Sequence, residues 1–220
     1  MNAYSAVASG RKVRRIGGCV VLVASLFLTG CVAADPLADQ ATAGSTNYVA
    51  GDGSIAEYAP ESRGEPLTVQ GTLFDGTRAG SQEWAGQVVV LNVWYAACAP
   101  CRAESPTLAA LHEDFAQQGV QFYGINIRDE SATADAFERN FDISYPSFED
   151  RDGRILLSLT EYVPPQAVPT TLVLDREGRV AARVLGIADE NVLRTLITEE
   201  LGRAASVADE TGTGTGTNAP

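Results

Sequence analysis

Two cysteines separated by two residues offer the clearest chemistry in this sequence of 220 residues. Cys98 and Cys101 enclose Ala99 and Pro100 in the stretch WYAACAPCR. A pair at this spacing can cycle between a dithiol and a disulfide, supply half of a zinc site, or form a structural crosslink. The rest of the sequence discriminates between these three kinds of site.

A redox pair is favoured over the two other kinds of site. A disulfide that closes so short a loop removes little entropy from the unfolded chain, so it would contribute little as a structural crosslink. A zinc site needs four nitrogen or sulfur ligands as a rule. The single histidine, His112, lies on the apolar face of a predicted helix, which is typical of core packing. We therefore expect neither a metal nor another cofactor at the pair.

The N-terminus has the three parts of a secretory signal. A basic patch, RKVRR at 11–15, precedes an apolar run at 16–28 and the ending LTGC at 28–31. The apolar run is shorter than the roughly 20 residues of a membrane-spanning helix. The ending resembles the bacterial lipobox, which implies cleavage before Cys31 and attachment of a diacylglyceryl group to its sulfur. A plain signal peptide or an uncleaved anchor is the alternative.

Processing of this kind determines which thiols remain. Cys19 leaves with the signal peptide of residues 1–30, and lipid blocks Cys31. Cys98 and Cys101 are then the free thiols of the mature protein. The expected location is the extracytoplasmic face of the bacterial cell membrane, a compartment in which disulfides persist.

The charge balance argues against nucleic-acid binding. Four of the 16 basic residues precede Cys31, which leaves 12 basic against 28 acidic residues in the remainder of the chain. Phosphate recognition depends on clustered lysine and arginine side chains. The sole lysine, Lys12, lies in the signal, so the processed protein has no lysine for catalysis.

The elements that must position the cysteines lie between residues 64 and 202. Residues 31–63 are rich in small and polar residues and are predicted to form the lipidated cysteine followed by a flexible tether. Residues 203–220 are predicted to form a disordered tail. Within the domain, the patterns predict strands at 66–74, 87–95, 120–127, 170–175 and 179–186, and helices at 99–118, 131–142, after Gly153, and at 189–201. This order predicts an α/β domain with a mixed sheet, parallel at its centre and flanked by helices.

The cysteine pair falls at a strand–helix junction. Cys98 directly follows the buried strand, and Cys101 lies in the first turn of the helix. Free backbone N–H groups and the helix dipole stabilise negative charge at this place, so we expect the pKa of the Cys98 thiol to lie below the ~8.5 of a free cysteine. Pro100 lies near the helix start, where its missing N–H costs little.

The stretch VVVLNVWYAACAPCRAESPTL resembles the active-site strand and helix of the thioredoxin-like thiol–disulfide oxidoreductases, above all the membrane-tethered TlpA/ResA branch. The resemblance covers residues 64–202. It implies a thioredoxin-like fold with an N-terminal strand extension and a helical insertion, here at 131–142. It also implies that Cys98 is the exposed attacking cysteine, that Cys101 is the buried resolving cysteine, and that the two form a disulfide.

Further residues match the same family. Trp94 stands where the family has its tryptophan before the redox loop, which is the stretch that leads from the buried strand to the cysteine pair. Asn92 stands at a buried position of that strand. Glu104 matches a glutamate that sits near the disulfide and tunes it, since a carboxylate close to a thiolate raises the pKa of the thiol. A solvated carboxylate in the first turns of the helix is the alternative for Glu104.

Val168-Pro169-Thr170 matches the segment in which a cis-proline faces the disulfide and the preceding residue offers backbone groups to the substrate. An ordinary proline at a strand entry is the alternative, because only ~5–6% of X–Pro bonds in folded proteins are cis. The chain departs from the family at 95–97, Tyr-Ala-Ala, where a second tryptophan is more usual. The resemblance therefore does not determine the shape of the surface on which a substrate docks. Tyr95 also stands where peroxidases of this fold have threonine, so peroxidase activity is not expected.

The resemblance implies an enzyme that reduces protein disulfides, with apocytochrome c as a substrate in cytochrome c maturation and a membrane thiol donor of the CcdA/DsbD type as a partner. Two alternatives remain open at this point. The same chemistry run backwards would make a disulfide-forming oxidase. A domain without turnover would be a binding or metal-handling module.

Overall fold

The computed structural model describes residues 54–212, in which a six-stranded mixed sheet carries helices on both faces. The eight strands are β1 (Ile55–Glu57), β2 (Gln70–Thr72), β3 (Arg78–Gly80), β4 (Val88–Trp94), β5 (Val120–Asn126), β6 (Ser147–Glu149), β7 (Thr170–Leu174) and β8 (Val180–Leu185). The four α-helices are α1 (Ala99–Ala116), α2 (Ser131–Asn140), α3 (Arg154–Ser158) and α4 (Glu190–Gly212). Short 3-10 turns lie at Pro60–Ser62 and Ser81–Trp84.

Strand β4 runs through the middle of the sheet, and all seven of its residues are buried. The strand order is β1-β8-β7-β4-β5-β6, while β2 and β3 form a separate hairpin. β5 pairs parallel with β4 on one side, and β7 pairs antiparallel with it on the other. The predicted parallel centre and antiparallel β7–β8 hairpin are confirmed.

Alternate side chains of β4 enter two separate cores, because successive residues of a strand point to opposite faces. One core lies against the β2–β3 hairpin and includes Val89, Leu91, Val93, Trp84 and Phe148. The other lies under α1 and α4 and includes Val88, Val90, Leu108, Leu111, Phe115, Leu193 and Ile197. A continuous apolar strand is therefore required at the centre of the sheet.

Helix α1 has the apolar face that its sequence predicts. His112 is half-buried on it, with ring centroids 5.4 Å from Phe122 and 5.5 Å from Tyr145. Burial lowers the pKa of His112, more than the nearby Glu113 raises it. The expected packing role of this histidine is confirmed.

The folded domain begins earlier than the predicted boundary at residue 64. β1 pairs antiparallel with β8, and the Arg63 side chain, 3% exposed, forms ion pairs with Asp175 and Glu200. The prediction that the tether extends to residue 63 is therefore wrong for residues 54–63. A three-residue strand is too short to show alternation, and the ionic partners of Arg63 lie more than a hundred residues away along the chain.

The closing helix also extends beyond its predicted end at residue 201. α4 continues to Gly212, so the prediction of a disordered tail is wrong for residues 203–212. The alanine-containing segment after Arg203 has no proline, and its first glycine is Gly212, where the helix ends. The predicted signal peptide, Cys31, most of the tether and residues 213–220 lie outside the described residues. Among residues 54–212, no helix is both long and apolar enough to cross a membrane.

Candidate active site

The two cysteines lie at the junction between β4 and α1. Their sulfur atoms are bonded at 2.10 Å, with the Cα atoms 5.3 Å apart. Cys98 is the N-cap of α1, and the backbone N–H of Cys101 donates to Cys98 Sγ over 3.1 Å. Pro100 occupies the first turn, where an N–H would have no partner within the helix. The first turn therefore directs a donor and its dipole at the sulfur that would carry negative charge.

Both cysteines are buried in the disulfide state, with Cys98 3% and Cys101 1% exposed. The expectation that Cys98 is exposed is wrong for this state, because the side chain packs in an apolar cluster with Trp94, Phe137 and Val168. Its neighbours Ala97, Ala99 and Pro100 are exposed. A substrate would therefore approach the sulfur across a rim of small side chains.

The segment before β7 faces the disulfide. The Val168–Pro169 peptide is cis, and the Val168 carbonyl oxygen lies 3.9 Å from Cys98 Sγ. The backbone N–H of Gly186, after β8, donates to the Pro169 oxygen over 2.9 Å. The structure thus brings together residues that lie about seventy positions apart in sequence.

Trp94 packs in the same apolar cluster as the two cysteines. It is 3% exposed, and its ring centroid lies 4.4 Å from that of Phe137. Phe137 in turn packs against Phe141 at 4.6 Å. Phe137 belongs to α2 and Phe141 follows directly, so the helical insertion shapes the surroundings of the disulfide.

Glu104 lies in a buried polar network one turn after Cys101. Asn92 Nδ2 donates to Glu104 Oε1 over 2.7 Å and to Thr171 Oγ1 over 3.1 Å. The backbone N–H of Ala188 donates to Glu104 Oε2 over 2.9 Å. Glu104 is 1% exposed, so the alternative of a solvated carboxylate is wrong. The carboxylate links β4, β7 and the loop before α4.

Burial raises the pKa of Glu104 to about 7, although the N–H groups of Ala188 and Asn92 act in the opposite direction. A low-dielectric environment disfavours the charged form, and two donors recover only part of that cost. At neutral pH this carboxyl group is therefore close to half-protonated.

This shift should make the stability of the fold depend on pH. Between about pH 4.5 and 7 the folded protein holds a proton on Glu104 that the unfolded chain has lost, so the free energy of unfolding falls as the pH rises. The Glu104→Gln variant cannot lose this proton. Between pH 5 and pH 8 we expect the free energy of unfolding of wild type to fall by about 2 to 3 kcal/mol more than that of Glu104→Gln.

Denaturant titrations at the two pH values measure this difference, with the exposed Glu83→Gln as the control. The control should follow wild type at both values. Identical pH slopes for Glu104→Gln and wild type would contradict the raised pKa.

Sequence reasoning missed the residues that follow β5. Asp129 Oδ2 accepts hydrogen bonds from the Ala96 N–H over 2.6 Å and from Asn126 Nδ2 over 2.9 Å. The Arg128 guanidinium lies 4.0 Å from the ring centroid of Tyr95. A signal was present, because parallel β4 and β5 must end at the same edge of the sheet. Polar residues just after β5 therefore had to lie beside the redox loop.

Within the part of the chain that the structure describes, no group of three histidine, cysteine or acidic side chains is arranged to hold a metal ion.

A model of the AhpC/TSA family matches residues 65–183. Two curated relatives are the thiol:disulfide interchange protein DsbE of Pseudomonas aeruginosa and the thiol-disulfide oxidoreductase ResA of Bacillus subtilis. DsbE is 34% identical over 110 residues, covering 50% of this chain and 57% of its own length. ResA is 27% identical over 119 residues, covering 54% of this chain and 64% of its own length. The matches thus span less than two thirds of either relative.

Two solved structures are similar over almost their whole length. A secreted thiol-disulfide isomerase from Corynebacterium glutamicum has a TM-score of 0.65 and 30% identity, covering 72% of this chain and 99% of that structure. A DsbF homologue from Corynebacterium diphtheriae has a TM-score of 0.63 and 30% identity, covering 71% and 99%. The predicted thioredoxin-like fold and the similarity to ResA-type proteins are confirmed.

Proposed function

Because this chain belongs to the AhpC/TSA family, within which it is similar to DsbE and ResA, we propose that it is a thiol–disulfide oxidoreductase acting on protein disulfides outside the cytoplasm. The observation that carries the proposal is the Cys98–Cys101 disulfide at the start of α1, facing the Val168 carbonyl group. This arrangement places a reactive sulfur beside backbone groups that an extended substrate can use.

In the reducing direction the protein starts as the dithiol. The Cys98 thiolate attacks one sulfur of a substrate disulfide, forms a mixed disulfide, and releases the other substrate sulfur as a thiolate, which takes up a proton. Cys101 then loses its proton and attacks Cys98 Sγ, which releases the second substrate thiol. Two electrons pass to the substrate, and the Cys98–Cys101 disulfide of the described structure is the product.

The site supplies specific help to these steps. The Cys101 N–H, which lies 3.1 Å from Cys98 Sγ, stabilises negative charge on that sulfur before it attacks the substrate disulfide. Glu104 is proposed to tune the pair, since a carboxyl group that titrates near pH 7 changes the local charge in the range where thiols react.

The finer assignment is the reduction of apocytochrome c during cytochrome c maturation, with a membrane thiol donor of the CcdA/DsbD type restoring the dithiol. It is supported by the resemblance to the TlpA/ResA branch and by the similarity to DsbE and ResA. The reduction potential of the pair in the full chain tests the direction. A value of about −270 mV or below supports reduction, and a value near −120 mV would overturn it.

One observation favours a second candidate, a disulfide-forming oxidase. The N-cap position of Cys98 and the donor aimed at its sulfur favour the thiolate over the thiol, and a stabilised thiolate makes the dithiol form more stable. A stable dithiol raises the potential and favours oxidation of substrates.

We also propose that lipid on Cys31 holds the domain at the outer face of the bacterial membrane, on the basis of the sequence at 11–31. In a bacterial host fed labelled palmitate, the full chain should incorporate label. Cys31→Ser should lose all of it, because the lipobox-like ending LTGC directs attachment to the sulfur of Cys31 and serine has no sulfur. The matched control Cys19→Ser should keep it, since Cys19 lies within the signal. Label retained in Cys31→Ser would refute the anchor.

A further inference from the structure

We propose that Arg102 and Arg128, named here the arginine pair, select substrate proteins that carry carboxylate side chains next to their disulfide. The inference rests on the proposed function and adds the class of substrate. Both arginines contact the segment in which the sequence departs from its family, Tyr95 to Ala97.

Arg128 is held on the redox loop by an aromatic ring. Its guanidinium lies 4.0 Å from the centroid of Tyr95, and the side chain is exposed. Stacking of this kind attracts the cation to the ring face while the N–H groups at the edge of the guanidinium remain free for an anion. The Arg128 cation is therefore positioned beside Tyr95, which lies three residues before Cys98.

Arg102 is held at the neighbouring residue of the same loop, Ala96. Its guanidinium lies 5.2 Å from the ring centroid of Phe141, and Nη1 lies 3.4 Å from the Ala96 carbonyl oxygen. Arg102 is exposed and directly follows Cys101. The two guanidinium groups thus contact residues 95 and 96 from different parts of the fold.

The nearby carboxylates are already engaged. Asp129 accepts hydrogen bonds from the Ala96 N–H and from Asn126, and Glu130 lies 3.4 Å from Arg151. Within residues 54–203, neither member of the arginine pair lies within 4.0 Å of a carboxylate oxygen. Two cations that have no ionic partner within these residues therefore contact Tyr95 and Ala96, shortly before Cys98, in a chain with 28 acidic and 16 basic residues.

This distribution of charge suits an acidic partner. A planar guanidinium binds a carboxylate through two parallel hydrogen bonds, and an arginine already held by a ring loses less freedom on binding. The acidic remainder of the surface repels an acidic segment, so the partner is directed to the disulfide. Each exposed ion pair changes affinity by a factor of roughly 1.5 to 5, so two pairs give about a fivefold effect.

Three synthetic peptides test the inference. They share one intramolecular disulfide and carry two glutamate, two glutamine or two lysine residues beside it. The measured quantity is kcat/KM for reduction by the full chain, divided by the rate with dithiothreitol to correct for the reactivity of each peptide. We expect the glutamate peptide to react about fivefold faster than the glutamine peptide, the lysine peptide to be slowest, and the differences to shrink in high salt.

In the double variant Arg102→Gln/Arg128→Gln, the corrected kcat/KM for the glutamate peptide should be close to that for the glutamine peptide. The double variant Arg102→Lys/Arg128→Lys should regain part of the preference for the glutamate peptide. Arg176→Gln is the matched control, because it removes one exposed positive charge from the turn after β7. Leu174 pairs with Val89 at the start of β4, so this turn lies at the end of the sheet away from Trp94. The control should keep the wild-type ratio.

A ratio near one in wild type, or an unchanged ratio in the double glutamine variant, would overturn the inference while leaving the oxidoreductase proposal intact. If wild type reduces none of the peptides faster than Cys98→Ser does, the proposed function fails and the inference fails with it.

Discussion

Replacement of Cys98 by serine should lower the rate of protein disulfide exchange on the order of 10³-fold or more. A serine hydroxyl is not ionised at neutral pH and cannot form the mixed disulfide. Cys101 should not substitute for it, because Cys101 is 1% exposed within the first turn of α1 and lacks the N-cap position at which a helix N–H donates to the Cys98 sulfur. The turbidity assay of insulin reduction, with the full chain and a dithiol donor, measures the loss.

The second cysteine provides the matched control. Cys101→Ser should still attack the substrate but should stall as a covalent complex, because no thiol remains to attack Cys98 Sγ. Non-reducing gels and intact mass should show this complex for Cys101→Ser and not for Cys98→Ser. Equal rates for Cys98→Ser and wild type would sink the enzyme proposal and leave a binding module as the remaining interpretation.

The second large effect should follow from Arg63, at the N-terminal edge of the domain. Its side chain is 3% exposed, with Nη1 2.9 Å from Asp175 Oδ2 and Nη2 2.7 Å from Glu200 Oε1. Both carboxylates are also nearly buried, with side chains 4% and 8% exposed. Arg63 therefore ties the segment before β2 to the end of β7 and to α4.

The Arg63→Met variant keeps much of the volume but leaves two buried carboxylates without their shared cation. Removing one partner of a buried ion pair costs about 3–5 kcal/mol of unfolding free energy. Asp175 keeps a contact with Arg179 at 2.9 Å, and Glu200 keeps one with Arg203 at 3.2 Å. We therefore expect the lower end of that range, about 3 kcal/mol.

Denaturant unfolding of the two proteins measures this loss. Arg154→Gln is the control, because its ion pair with Asp152 is exposed, with side chains 86% and 59% accessible. The control should differ from wild type by no more than about 0.5 kcal/mol. A loss below about 1 kcal/mol for Arg63→Met would show that the ion cluster does not hold the N-terminal segment.

Local patterns predicted the elements that carry the cysteines. The apolar run ending at Trp94 and the 3.6-residue periodicity after Cys98 placed a strand–helix junction at the pair, and the structure has β4 and α1 there. Such patterns are readable because burial on one or two faces constrains every residue of a long element. Three-residue strands such as β1 and β6 carry too few residues to show a pattern.

The surroundings of the site depended on contacts between distant residues. Glu104 bonds to the Ala188 N–H across 84 positions, and Arg63 bonds to Glu200 across 137. No local periodicity encodes such pairs. The burial that moves the pKa of Glu104, and that hides Cys98 in the disulfide state, arises only when these segments pack together.

The sequence by itself therefore determined the reactive pair, its place at a helix start and the class of fold, because residue spacing and hydrophobic periodicity are properties of neighbouring positions. Only the tertiary structure decided what surrounds the pair: the Val168 carbonyl beside Cys98, the buried Glu104, and the arginine pair on Tyr95 and Phe141. These groups come from separate strands and loops, and their distances are set by the sheet and the packing of its helices.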